Sequence, residues 1–173
     1  MAGPVIRAYV ALGANLGDPR AALAAAVHRL AADPDVDLAA LSPLYRTAPV
    51  GGPDQPAFLN AVAAIDTALP PAALLDRLQA LETDAGRVRR VHWGPRVLDL
   101  DLLLHGDRVM ATPRLTLPHP RLHERRFVLV PLADIAPAVR HPVLHRTIAE
   151  LLGDLPAAPG DVVPEAADWL DEA

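Results

Sequence analysis

The run His92-Trp93-Gly94-Pro95-Arg96-Val97-Leu98-Asp99-Leu100-Asp101-Leu102-Leu103-Leu104 sets two carboxylates two residues apart in an apolar segment. In an extended strand, side chains two apart share a face. Asp99 and Asp101 therefore point one way, and Leu98, Leu100, Leu102 and Leu104 are expected to point the other way, into the core. Two like charges held so close repel, and the arrangement becomes favourable when divalent cations bridge them. Oxygen ligands without cysteine suit magnesium, with manganese as a substitute, rather than a structural zinc. A solvated strand face is the ordinary reading of Asp-X-Asp alone. The arginine-rich loop at 87–95 beside it favours a polyphosphate, which needs both metal and guanidinium groups.

Composition narrows the chemistry further. The chain has 173 residues and no cysteine, and all 16 basic residues are arginine. Disulfide scaffolds, thiol nucleophiles, lysine Schiff bases and the phosphate loop that needs Gly-Lys-Ser/Thr are excluded. Net charge is −5, yet residues 87–126 hold nine arginines against four acids, together with His92, His105, His119 and His123. An acidic protein with one basic segment fits a small anion better than a nucleic-acid polymer. The length suggests one domain with a real core. No apolar run approaches a membrane span and residues 1–7 lack the features of a signal peptide, so a cytoplasmic location is expected.

The elements that must position these residues follow from local signals. Residues 5–12 read as a first strand, followed by a helix to about residue 32 with Asp18 as its cap and Pro19 at its first position. One strand is expected over 36–46, a shaped loop over 47–57 and a third strand over 58–66. Pro70-Pro71 opens a helix ending near Gly86, with Leu74, Leu75, Leu78 and Leu81 on its buried face. A strand over 96–105 turns at Gly106-Asp107 into a hairpin partner at 108–111. A helix over 127–136 and a short one with the capping box Thr147-Ile148-Ala149-Glu150 follow. This order fits an α+β fold: a ferredoxin-like antiparallel sheet with helices, as a three-layer α/β/α-type sandwich in a single domain. The domain is expected to span 1–153, leaving 154–173 as an acidic, proline-containing, loosely held C-terminal tail.

Trp93-Gly94-Pro95-Arg96 followed by Asp99-Leu100-Asp101 closely resembles the signature of the 6-hydroxymethyl-7,8-dihydropterin pyrophosphokinase family. Gly13-Ala14-Asn15-Leu16, Tyr45-Arg46-Thr47-Ala48-Pro49, Asp54 to Asn60, Gly86-Arg87-Val88-Arg89, and Leu117-Pro118-His119-Pro120 with Arg125 and Phe127 resemble further family motifs in the same order. The resemblance covers about residues 5–150. It implies an ATP-dependent diphosphotransferase of folate biosynthesis, which moves the terminal diphosphate of ATP to a reduced pterin alcohol and releases AMP.

By that resemblance Asp99 and Asp101 hold two magnesium ions, and Arg87 and Arg96 are catalytic-loop arginines. ATP contacts are expected from Gln79, Glu82, Arg89, Arg114, Thr116, His119 and Arg125. Pterin contacts are expected from Thr47, Ala48, Val50, Phe58, Asn60, Trp93 and Phe127, the two phenylalanines sandwiching the ring. Ala14, Phe58, His92 and Arg126 depart from residues usual in the family at their positions. Small-molecule substrates, no nucleic acid, no membrane, a monomer, and dihydropteroate synthase as a functional neighbour complete the expectation. Two other readings stay open at this point: a two-metal nucleotidyl transferase or cyclase, and a ferredoxin-like RNA-binding module.

Overall fold

The computed structural model describes residues 3–48, 56–86, 97–157 and 160–170. In chain order the elements are β1 (Ile6–Ala14), α1 (Pro19–Ala32), β2 (Val36–Leu41), β3 (Leu44–Thr47), β4 (Phe58–Thr67), α2 (Pro71–Asp84), β5 (Asp99–His105), β6 (Met110–Ala111), β7 (Thr116–Leu117), a 3-10 turn (Leu122–Glu124), α3 (Arg126–Ile135), α4 (Ile148–Asp154) and β8 (Val162–Ala166). The main sheet runs β5-β1-β4-β3-β8, with β2 also on β4. Every pairing in it is antiparallel.

Helices cover both faces. Leu23, Val27 and Leu30 of α1 and Leu74, Leu78 and Leu81 of α2 pack with Val10, Leu12, Ala63 and Ile65 beneath one face. On the other, Val128, Leu129 and Leu132 of α3 and Ile148 and Leu151 of α4 pack against Tyr9, Val62 and Ala64. The alternation of β1 and β4 thus feeds two apolar layers, giving the expected three-layer sandwich. Local signals set the helix ends: Asp18 accepts from the Ala21 N–H at 3.1 Å, and Thr147 with Glu150 forms the capping box.

Four expectations change. The strand expected over 36–46 is two strands, because Pro43 has no N–H to give a ladder and breaks the run after Ser42. Leu104 lies in the layer under α3, not with Leu98, Leu100 and Leu102. A bulge is the reason: Tyr9 pairs with Leu104 while Val10 pairs with Leu102, so Leu103 is skipped and the alternation changes face. After the turn at Gly106, β6 does not fold back on β5 but pairs with β7. Finally, residues 160–170 are not a loose tail. Strand β8 joins the sheet edge at β3, and Trp169, 1% exposed, donates its Nε1–H to the Ser42 carbonyl at 3.0 Å. One large ring in the core outweighs the acidic composition around it.

Candidate active site

Strand β5 places Asp99 and Asp101 half-buried on one face while Leu100 and Leu102 enter the core. Its inner edge is fixed by β1, with Asp99 opposite Gly13 and Asp101 opposite Ala11. On its outer edge the Leu100 N–H donates to Glu82 Oε2 at 2.9 Å. Glu82 itself, on α2, is only 3% exposed. A buried carboxylate therefore braces the backbone between the two aspartates, where an edge strand would otherwise leave a donor without a protein partner.

The register continues this row across the sheet: Gly13 is opposite Asn60, and Asn60 is opposite Tyr45. Directly opposed residues share a face, so Asp99, Gly13 and Asn60 form one line. At the usual spacing of neighbouring strands, Asp99 and Asn60 are about 10 Å apart. Gly13 makes the line possible. A β-carbon there would sit 2.9 Å from Asn60 Oδ1. The Asn60 amide takes up that space and donates from Nδ2 to Thr47 Oγ1 at 2.6 Å, both residues buried. Phe58 is opposite Thr47 on the same face. Asn15 ties the neighbouring chain by donating from Nδ2 to the Pro56 carbonyl at 2.9 Å. Tyr45 donates its hydroxyl to Asp134 of α3, and burial and that carboxylate push the phenol up to about 12.

Two openings flank the row. A cleft of about 310 Å³ lies along β5 between Asp99, Asp101, Gln79, Glu82, Thr116 and His119. Arg114 forms its rim, donating to Asp76 and to Gln79 Oε1 at 2.9 Å, so both expected nucleotide residues are held by one contact to α2. The His119 N–H is anchored on the Leu103 carbonyl at 2.9 Å, and its ring Nδ1 accepts from the Arg121 N–H at 3.2 Å. Burial first, and then the Arg125 and Arg121 charges, lower its pKa to about 4 against the pull of Asp99. His119 is thus neutral at pH 7, and with Nδ1 accepting, its proton sits on Nε2, free for an anion in the cleft.

A second cavity of about 540 Å³ is lined by Thr47, Ala48, Arg125, Phe127 and, from the C-terminal segment, Asp161 and Val162. The Arg125 guanidinium lies 5.6 Å from the centre of the Phe127 ring, within cation–π range. Burial lowers its pKa, with Asp101 and Asp99 acting the other way, and the group stays a cation. One face of the sheet thus carries carboxylates for a hard cation at one end and a buried amide with an aromatic ring at the other.

Among the described residues no group of three or more His, Cys, Asp or Glu side chains forms a complete metal cage. Two carboxylates suit magnesium all the same, because that ion keeps waters and takes phosphate oxygens for its remaining positions. Asp99 and Asp101 are the residues that could hold it.

The sequence model of the family described as 7,8-dihydro-6-hydroxymethylpterin-pyrophosphokinase (HPPK) matches residues 9–137. The chain belongs to the HPPK family. It is 51% identical over 150 residues to the 2-amino-4-hydroxy-6-hydroxymethyldihydropteridine pyrophosphokinase of Pseudomonas aeruginosa, covering 87% of this chain and 92% of that one. It is 52% identical over 131 residues to the protein of the same name from Methylorubrum extorquens, with 76% and 83% covered. The crystal structure of Plasmodium falciparum HPPK-DHPS, wild type with pteroate, superimposes with a TM-score of 0.71 at 15% identity. That likeness concerns the fold, and covers 88% of this chain and 43% of the other.

Among the described residues, the parts of the HPPK motifs on β1, β3, β4 and β5 are brought onto one sheet by the register. Val50, Arg87, Arg89, His92, Trp93 and Arg96 lie outside the described residues, as do most of the loops expected at 47–57 and 87–95. Sequence reasoning missed Gly13 and Asn15 as site residues, although a glycine inside a strand is itself a signal of close approach. Asp161 lines the larger cavity, and no local pattern in the sequence announces it. Arg146 pairs with Asp154 and Glu150 on the surface.

Proposed function

We propose that this chain transfers the terminal diphosphate of ATP to the hydroxymethyl group of 6-hydroxymethyl-7,8-dihydropterin, releasing AMP, in tetrahydrofolate biosynthesis. The observation that carries this reading is the row Asp99, Gly13, Asn60, with the cleft along β5 at the Asp99 end and the cavity beside Thr47 and Phe127 at the other. The oxygen of the pterin hydroxyl attacks the β-phosphorus of ATP. The bond from that phosphorus to the α–β bridging oxygen breaks, AMP leaves, and the hydroxyl proton passes to solvent.

Two magnesium ions held by Asp99 and Asp101 would supply charge neutralisation at the phosphates and acidify the attacking hydroxyl. Phe127 and Phe58 stack on the flat ring, while Asn60, Thr47 and the backbone at Ala48 and Val50 hydrogen-bond its polar edge. His119 donates one neutral N–H to a phosphate oxygen and Arg125 adds a cation. Gln79, Glu82, Arg89, Arg114 and Thr116 complete the ATP side. Arg87 and Arg96 offset charge on the moving diphosphate, and Trp93 covers the substrates.

The residues assigned to chemistry fall within 1–153, and the segment after it joins the same sheet through β8. We further propose a cytoplasmic monomer acting on small molecules, with no nucleic-acid partner. Among the described residues no helix is long and apolar enough to cross a membrane. Dihydropteroate synthase is the proposed functional neighbour, in keeping with the HPPK-DHPS naming of the matched Plasmodium chain. The test is incubation with ATP, magnesium and the reduced pterin alcohol, then separation of nucleotides. AMP supports the reading; ADP as the nucleotide product overturns it.

A further inference from the structure

The C-terminal segment lines the larger cavity with Leu155 and Pro156 and again with the consecutive pair Asp161 and Val162. Asp161 Oδ2 accepts from Arg126 Nε at 2.7 Å, and both side chains are mostly covered, Arg126 at 22% and Asp161 at 29% exposure. Val162, the next residue, pairs with Thr47 across β8 and β3. Thr47 and Phe127 both line the cavity, so residues 161 and 162 link the strand that carries the one to the helix start that carries the other.

The entry to α3 needs such a tie. Arg125 is its N-cap, makes no side-chain cap, and is followed by Arg126 at the first helical position and Phe127 at the second. Two cations at a helix N-terminus oppose the helix dipole, and the first-turn amides lack a side-chain acceptor. A carboxylate brought in from the far end of the chain offsets that charge and fixes the turn that aims Phe127.

We infer that Arg126 and Asp161 form a positioning pair that sets the width of the pterin cavity and the angle of Phe127, making the C-terminal segment a working part of the pterin site. The inference rests on the reading of this cavity as the pterin site. It assigns the pair to ring binding, not to the nucleotide cleft along β5.

The test is calorimetric binding by the full chain with magnesium. The ligands are the reduced pterin alcohol, in the presence of a non-hydrolysable ATP analogue, and that analogue alone. Asp161→Asn and Arg126→Gly are each expected to raise the pterin Kd about fivefold. The Kd of the ATP analogue should stay within about twofold of wild type. The exchanged variant Arg126→Asp with Asp161→Arg should recover most of the pterin affinity, which a merely structural loss would not. Folded single variants with wild-type pterin affinity overturn the inference, as do equal losses for both ligands or no recovery on exchange. Wild-type protein that binds the analogue but no pterin overturns the reading of the cavity, and this inference with it.

Discussion

Gly13→Ala separates the architecture of the site from the stability of the fold. The new β-carbon would lie 2.9 Å from Asn60 Oδ1 and 3.9 Å from the Leu59 carbonyl, where ordinary contact begins near 3.4 Å. The backbone neighbour needs no adjustment, so the amide of Asn60 moves, by roughly 0.5 Å to reach ordinary contact. That amide is held at 2.6 Å on Thr47 Oγ1 and both residues are buried, so the displacement cannot be shared with solvent. Misplacing one hydrogen-bonding group aimed at the pterin costs about 0.5–1.5 kcal/mol, or roughly twofold to tenfold in affinity. Alanine meanwhile relieves the entropic cost of glycine in a strand, a gain of about 0.5–1 kcal/mol that offsets local crowding. Steady-state AMP formation should therefore show pterin KM raised roughly twofold to tenfold, ATP KM unchanged, and a thermal midpoint close to wild type. A folded Gly13→Ala protein with wild-type pterin KM would refute the argument that the glycine exists to seat Asn60.

Asp99→Ala and Asp101→Ala should each lower turnover by about a thousandfold or more while the circular dichroism spectrum is retained; near-normal activity in either ends the metal assignment. Glu82→Ala leaves the Leu100 N–H without its acceptor and should cost about 1–3 kcal/mol in urea unfolding, whereas Glu82→Gln, which keeps an acceptor oxygen, should cost less; equal losses would mean the brace is not the cause. The lowered pKa of His119, about 4 against an ordinary 6.5, means that between those values the unfolded chain binds the extra proton and the folded chain does not. Stability therefore falls as pH drops from about 6.5 to 4 and this contribution levels off below that. His119→Gln should flatten the profile in denaturant titrations, and identical profiles for the two proteins would show that His119 is not the group.

What the sequence makes legible is whatever is decided within a few residues. Asp18 with Pro19, and Thr147 with Glu150, announce helix starts because a cap is a contact between residues three apart. The two aspartates of β5 are readable for the same reason, since period two is a local property of a strand. Leu104 is not, because the bulge that turns it belongs to the pairing with β1 and not to β5 alone. The partner of β6 and the brace from Glu82 to Leu100 likewise depend on chains 18 or more residues apart or on a competing hairpin. The C-terminal segment shows the limit most clearly. Its acidity and prolines describe its surface, while Trp169 in the core and Asp161 against Arg126 decide where it goes. The family motifs name the expected site residues, and the register of β5, β1, β4 and β3 supplies the reason Asp99, Asp101, Asn60, Phe58 and Thr47 share one face.

Following the β-phosphorus tests the central claim most directly. With ATP labelled at that atom, magnesium and the reduced pterin alcohol, the label is expected in a pterin diphosphate, in one-to-one amount with unlabelled AMP. Label found in ADP, or released as inorganic pyrophosphate with no labelled pterin, would contradict diphosphate transfer by this chain.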